Sequence, residues 1–351
     1  MQKIKVLIVD DSAVVRSILK DGLGKCPDIE IVDTAPDPYI ARDRIIQHSP
    51  DVLTLDVEMP RMDGVTFLEK LMKSHPMPVI ILSTLTPAGC STAMRALELG
   101  AIEVMHKPSL DVATRLNEMI EQLANAIRAG YAAKRRFVGG YKPLSATVRR
   151  GSPVSASMLK TTDRVVAIGA STGGTEALRL LLPALPATFP GVVLTQHMPA
   201  IFTKSFADSL ARVCAMDVQE AKDGDTVRSG LILIAPGNYH MVLRRSGARY
   251  YVEIKEGPMV FYQRPSVEVL FDSVAKYAGS NAVGVMLTGM GRDGAMGLRH
   301  MRDAGAHTIA QDEATCVVYG MPRAAVEVGA VVQSVALGDI PDMLIQHLAK
   351  D

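Results

Sequence analysis

Four short apolar runs in the amino-terminal third of the chain each stop at a side chain able to do chemistry, and this pattern restricts the fold more than any other feature. Val6-Leu7-Ile8-Val9 runs into Asp10-Asp11, and Val52-Leu53-Thr54-Leu55 into Asp56. Pro78-Val79-Ile80-Ile81-Leu82 runs into Ser83, and Ile102-Glu103-Val104-Met105-His106 into Lys107. Between them lie helical patterns such as Ala13-Val14-Val15, Ile18-Leu19 and Leu23, with the period of a helix packed on one face. Five such βα units over residues 4–128 predict an α/β domain with a parallel sheet. In an open parallel sheet the carboxyl ends of the strands converge on one crevice, so these polar residues are expected to meet.

Their chemistry is complementary. Clustered carboxylates repel one another unless a hard cation binds them, and Mg2+ takes oxygen ligands while keeping waters and phosphate oxygens in its shell. A carboxylate such as Asp56 can attack a phosphoryl donor and carry an aspartyl-phosphate. Lys107 and the Ser83 hydroxyl are then suited to hold the new phosphoryl oxygens, by charge and by hydrogen bond. On these residues the chain resembles, over residues 1 to about 125, the receiver domain of two-component response regulators. The resemblance implies that Asp56 is the phospho-acceptor, that Asp10 and Asp11 serve Mg2+ together with Asp56, that Ser83 is the switch hydroxyl and that Lys107 senses the phosphate. One departure is visible: Val104 stands three residues before Lys107, where many receivers carry a switch aromatic.

At 351 residues the chain exceeds what one core usually serves. From about residue 129 to 160 the periodic pattern lapses into Gly139-Gly140, Pro143, Gly151-Ser152-Pro153 and two short basic clusters, which reads as a linker. The expected boundaries are a receiver at 1–128, a linker at 129–160 and a second domain at 161–351. A net charge of +1 argues against a general nucleic-acid binder, because affinity for phosphate backbones comes from massed Lys and Arg. Four scattered cysteines without a CxxC suggest neither a disulfide framework nor a zinc site. No run approaches the roughly 18 apolar residues of a membrane span, and Met1-Gln2-Lys3-Ile4 enters the first strand without a leader pattern, so a cytoplasmic protein is expected.

After the linker the alternation resumes. Arg164 to Ile168 and Val192 to Thr195 read as strands, and Glu176 to Leu185 and Val267 to Tyr277 as helices. Residues 217–262 carry short strands broken by Asp223-Gly224, Pro236-Gly237-Asn238 and Arg245-Ser246-Gly247, which predicts hairpins laid against the sheet. A second doubly wound α/β domain with a β-hairpin insertion is expected.

Gly169-Ala170-Ser171-Thr172-Gly173-Gly174 follows a strand and precedes a helix, the setting in which G-x-S-x-G presents a nucleophilic serine on a sharp turn. A serine needs a base, and His197, at the end of the next strand, is the first candidate, with His240 as competitor at the start of a hairpin strand. Asp293, in Thr288-Gly289-Met290-Gly291-Arg292-Asp293-Gly294, ends another strand and can orient the imidazole. The same segment satisfies G-x-G-x-x-G, with Asp312 where a dinucleotide-binding unit keeps its ribose acid, so an oxidoreductase stays open on spacing alone, as does a phosphorylation-controlled binding module.

Taken together, GASTGG with Ser171, TQHMP with His197, Pro265-Ser266-Val267 and TGMGRDGAMG resemble the catalytic domain of chemotaxis-type protein-glutamate methylesterases, the CheB family, from about residue 164 to 348. The resemblance implies a serine esterase in which Ser171 is the nucleophile, His197 the general base and Asp293 its orienting acid. Thr172 and Met290 take the oxyanion-binding positions. The implied activity is hydrolysis of glutamyl methyl esters on chemoreceptor cytoplasmic helices, commonly with deamidation of specific receptor glutamines, and no cofactor for that step. The implied partners are methyl-accepting chemoreceptors as substrate and a chemotaxis-type histidine kinase as phosphoryl donor.

Overall fold

In a computed structural model the apolar runs are strands and the periodic segments helices; the structure describes residues 3–84, 86–107, 113–137 and 164–350. The chain divides into two compact units, Met1–Pro143 and Leu144–Asp351. In the first, strands β1 (Ile4–Val9), β2 (Ile29–Ala35), β3 (Val52–Asp56), β4 (Val79–Ser83) and β5 (Glu103–His106) alternate with helices α1 (Ala13–Leu23), α2 (Pro38–His48), α3 (Gly64–Ser74), α4 (Pro87–Glu98) and α5 (Ala113–Ala132). The sheet order is β2-β1-β3-β4-β5, and every pair is parallel. Strands β3 and β4 are buried at every position, which is why their sequences are continuous apolar runs rather than alternating ones. Helix starts follow capping chemistry: Ser12, Asp37, Asp63 and Thr86 each accept a backbone N–H from the first turn that follows.

Helix α5 runs past the expected boundary. It reaches Ala132, and a 3-10 turn continues through Phe137, so the structure is helical at residues assigned from sequence to a linker. Ala129, Ala133 and Phe137 are buried, and their packing outweighs the loss of clear periodicity. The rest of the expected linker, residues 138–160, lies outside the described residues.

The second unit is built on β6 (Val165–Ala170), β7 (Gly191–Gln196), β8 (Asp217–Glu220), β9 (Thr226–Val227), β10 (Leu231–Ile234), β11 (His240–Ser246), β12 (Arg249–Lys255), β13 (Ala282–Met286), β14 (His307–Gln311) and β15 (Gln333–Val335). Its helices are α6 (Gly174–Leu181), α7 (Ala200–Ala211), α8 (Val267–Tyr277), α9 (Ala295–Asp303), α10 (Met321–Glu327) and α11 (Ile340–Lys350). Seven strands form a parallel sheet in the order β15-β14-β13-β6-β7-β10-β8. Chain order reverses at β6, with β7 on one side and β13 on the other, and such a switch point opens a crevice at the carboxyl edge.

The expectation of hairpins over residues 217–262 holds for part of that stretch. β11 and β12 pair antiparallel and β9 joins them, but β8 and β10 belong to the main parallel sheet. Leu231–Ile234 is a fully buried apolar run, a signature of a central parallel strand that its short length obscures. The hairpin packs Met241, Leu243 and Val252 into one apolar core with Leu270, Phe271 and Val274 of α8. That contact fixes the start of α8, where the site needs it.

Candidate active site

Ser171, His197 and Asp293 leave the ends of β6, β7 and β13, three neighbouring strands at the switch point, and their side chains meet. His197 Nδ1 lies 3.0 Å from Ser171 Oγ, and His197 Nε2 lies 2.7 Å from Asp293 Oδ2. An ionised carboxylate can only accept, so Nε2 carries the proton and Nδ1 is the bare nitrogen facing the serine hydroxyl. All three residues are buried.

Backbone geometry explains how the serine is presented. Ser171 N–H donates to Thr288 O at 3.0 Å, and Gln196 Nε2 donates to Ser171 O at 2.9 Å and His197 O at 3.1 Å. The left-handed residue of the turn is Gly173, with φ of 79°, rather than Ser171, so glycine at 173 carries the conformational demand and opens α6. Gly289 has a different reason to be glycine: a Cβ there would stand 2.7 Å from the Ser171 Cβ. Met290 follows it directly and Thr172 follows Ser171 directly, so the two residues expected at the oxyanion positions are chain neighbours of Gly289 and Ser171, which approach each other closely. Thr288 ties these loops together, since its hydroxyl donates to Thr172 O at 3.0 Å or Val318 O at 3.2 Å and its N–H donates to Gln311 Oε1 at 2.9 Å.

Asp293 sits at the amino end of α8. Its Oδ2 also accepts Val267 N–H at 2.8 Å, while Oδ1 accepts the Ser266 hydroxyl at 2.8 Å and Glu268 N–H at 2.9 Å. Burial works against its charge, yet the His197 imidazole, the Glu268 N–H and the Ser266 hydroxyl hold the carboxyl below the ordinary carboxylate range. Sequence reasoning singled out Pro265-Ser266-Val267 without giving it a role. A serine directly ahead of an apolar helical pattern is an N-cap signal, and here the capping residue doubles as a ligand of the acid. Gln196 had no comparable signal.

His240, the competitor, is not in contact with Ser171. Ser266 N–H donates to its Nδ1 at 3.2 Å and its Nε2 faces Pro258 O at 2.9 Å, so it braces the segment that holds Asp293. Asp312 accepts Thr315 N–H at 3.0 Å and the Thr315 hydroxyl at 2.5 Å, closing a local turn, which occupies the carboxylate that a dinucleotide-binding unit would turn toward a ribose.

In the first unit, oxygens of Asp10, Asp11 and Asp56 lie within 4.8 Å of one another. Lys107 Nζ reaches Asp56 Oδ2 at 2.6 Å and Asp10 Oδ2 at 3.1 Å. Burial pushes the Asp56 carboxyl up to about 6, against the pull of Lys107, and raises that of Asp10 as well. Ser83, fully buried, ends the adjacent strand, and Val104 is buried in β5. The hard oxygen set, with two carboxyls whose charged form burial disfavours, suits a divalent cation, whose charge compensates the crowded carboxylates.

The family model for the CheB methylesterase matches residues 166–344, and that for the response regulator receiver domain matches residues 6–121. The chain is 54% identical over 347 residues to a protein of Syntrophus aciditrophicus named protein-glutamate methylesterase/protein-glutamine glutaminase 2, with 99% of each chain covered. It is 54% identical over 346 residues to a protein of Geobacter metallireducens with the same name numbered 3, covering 97% of this chain and 98% of that one. Among solved structures, the CheB methylesterase catalytic domain of Thermotoga maritima superposes with a TM-score of 0.52 at 36% identity, over 53% of this chain and 100% of that one.

Proposed function

The chain belongs to the CheB methylesterase family with a receiver domain ahead of the catalytic domain, and from that premise we propose that it is a cytoplasmic, phosphorylation-activated protein-glutamate methylesterase and protein-glutamine glutaminase acting on methyl-accepting chemoreceptors. The observation that carries the reading is His197 bridging Ser171 and Asp293. Ser171 Oγ attacks the ester carbonyl carbon while its proton passes to His197 Nδ1, and Asp293 stabilises the imidazolium that forms. The tetrahedral oxyanion is received by backbone donors at the Thr172 and Met290 positions. The proton on Nδ1 then goes to the departing methoxide, so methanol leaves and an acyl-serine remains. A water deprotonated by the same nitrogen attacks that acyl group, and the proton on Nδ1 returns to Ser171 Oγ as the glutamate is released. With a glutamine substrate the leaving group is ammonia.

Asp56 is the proposed phospho-acceptor, receiving the phosphoryl group from a chemotaxis-type histidine kinase. Asp10, Asp11 and Asp56 would hold Mg2+, which supplies charge neutralisation for phosphoryl transfer when bound. Lys107, already within ion-pair distance of Asp56, is placed to follow the phosphoryl charge, and Ser83 to donate to it. Methanol release from methylated receptor membranes, measured with and without a phosphoryl donor, tests the reading. Release that rises with the donor supports it, and no release under either condition refutes it.

A further inference from the structure

The segment between β12 and α8 contains a two-residue turn of unusual composition. Val260 and Gln263 exchange backbone hydrogen bonds, with Val260 N–H donating to Gln263 O at 3.1 Å and Gln263 N–H donating to Val260 O at 2.9 Å. The two residues at its tip, Phe261 and Tyr262, have φ of 50° and 61°. Two positive φ values define the mirror-image turn that Asn-Gly or Gly-Gly favours, and bulky side chains are outliers in that region. Both aromatics are nevertheless exposed, Phe261 at 44% and Tyr262 at 68%. Burial in the core therefore does not explain them, and strained residues of this kind cluster at ligand clamps.

The turn belongs to the active-site rim. Asn238 N–H donates to Arg264 O, His240 faces Pro258 O, and Ser266 holds Asp293, so the turn is anchored a few residues from the triad acid on one side and from His240 on the other. Arg292, next to Asp293, lays its guanidinium over the Phe261 ring at 5.8 Å from the centroid. Among the described residues this exposed cation has no carboxylate partner and no hydrogen bond. Met290, two residues before Arg292, is itself exposed at 37%.

We propose that the Phe261-Tyr262 turn and Arg292 form a substrate-docking rim for an acidic polypeptide segment, in which the aromatic tip covers an apolar side chain of the substrate and Arg292 pairs with a free glutamate carboxylate near the esterified one. This rests on the esterase reading and adds the determinant of which esters are chosen. Charge complementarity names the occupant: the rim offers one unneutralised cation stacked on an aromatic face, and a substrate whose reacted sites become glutamates presents carboxylates beside its remaining esters. Arg suits the role because it keeps its fork of donors free while stacked.

The test compares methanol release from two methylated receptor segments, one with its native acidic neighbours and one with those neighbours replaced by lysine, using the full-length phosphorylated protein. The parent protein should favour the acidic segment in kcat/KM, and Arg292→Glu should shift that ratio by roughly tenfold or more toward the lysine segment, since charge reversal both removes an attraction and adds a repulsion. General damage to the fold lowers both rates and leaves the ratio in place, which would overturn the role of Arg292. Replacing the tip by Phe261→Asn with Tyr262→Gly should hold or raise thermal stability, because that pair suits the turn, while KM for the acidic segment rises several-fold with little change in kcat. An unaltered KM in this variant would overturn the role of the aromatics. If the parent protein releases no methanol from either segment, the esterase reading itself fails, whereas release that every variant shares in the same ratio removes the docking rim alone.

Discussion

His197 turns Nδ1 toward Ser171 and Nε2 toward Asp293, so the nitrogen nearer the main chain is the one that faces the serine hydroxyl. In the Ser-His-Asp arrangement of chymotrypsin the two nitrogens have the opposite roles, with Nε2 facing the serine. The assignment of proton donor and acceptor follows from the acid, which can only accept. It makes Asp293 the residue that selects the tautomer.

Ser171→Ala removes the attacking oxygen and should reduce methanol release by about four to six orders of magnitude, as loss of a triad nucleophile does elsewhere. Phosphorylation of Asp56 should be unaffected. Both are read in one sample by methanol assay and by phosphoryl incorporation.

Asp293→Asn should lower kcat by about a thousandfold to ten-thousandfold with a small effect on KM, because an amide can donate to Nε2 and so favours the wrong tautomer. Asp312→Asn should retain most activity, since its carboxylate only closes the Thr315 turn. A proton resonance from His197 Nε2–H, shifted downfield by the acid, should survive Ser171→Ala and vanish in Asp293→Asn. Equal losses in the two aspartate variants at equal stability would contradict the assignment.

His240→Ala should cost far less than His197→Ala, about tenfold in kcat against several thousandfold, because His240 acts through the Ser266 N–H rather than on the substrate. Steady-state kinetics on the two variants decides this, and a ranking in which His240 matters more than His197 would replace the base.

The receiver should be less stable at neutral than at mildly acidic pH as far as Asp56 is concerned. Its folded pKa, pushed up to about 6 by burial, exceeds the unfolded value of 3.8. The stability linked to its proton is therefore fully present below about pH 4 and lost as pH rises through about 6. Asp56→Asn should then stabilise the receiver by up to about 3 kcal/mol at pH 7.5 and by little at pH 4. Hydrogen exchange of the β1 and β3 amides in the full chain reports this difference, and added Mg2+ should shrink it in the parent protein alone.

Coupling between the units is tested by deletion. If the unphosphorylated receiver withholds the Ser171 crevice from a bulky substrate, removing residues 1 to about 150 should raise basal activity, and Asp56→Asn should stay low when a phosphoryl donor is added. A truncated enzyme no faster than the intact unphosphorylated one would leave promotion of catalysis or of docking as the receiver's action.

Much of this was legible in the sequence because the polar residues sit at the ends of apolar runs, and in a parallel sheet strand ends share one edge. Asp10, Asp56, Lys107, Ser171 and His197 are all of that kind. Asp293 needed the glycine-rich turn to mark it. What stayed hidden was support that involves backbone atoms: the Val267 and Glu268 N–H groups that donate to Asp293, and the Ser171 and His197 carbonyls that accept from the Gln196 side-chain amide. The N–H donors place no demand on residue type, and Gln196, whose side-chain amide is needed, ends an apolar strand with nothing in its spacing to mark it. The place of β8 and β10 in the main sheet was missed for a related reason, since a run of four apolar residues fits a hairpin and a central strand equally well.

The order of the strands around β6 sets when the enzyme can first work. Ser171 and His197 are 26 residues apart, but Asp293 lies 96 residues beyond His197, in the loop after a strand that inserts on the opposite side of β6. A nascent chain that has emerged only through the hairpin therefore carries serine and imidazole without the group that fixes the proton's position. Ester hydrolysis becomes available as a late and cooperative product of folding, because these distant pairings form only when the middle of the sheet closes.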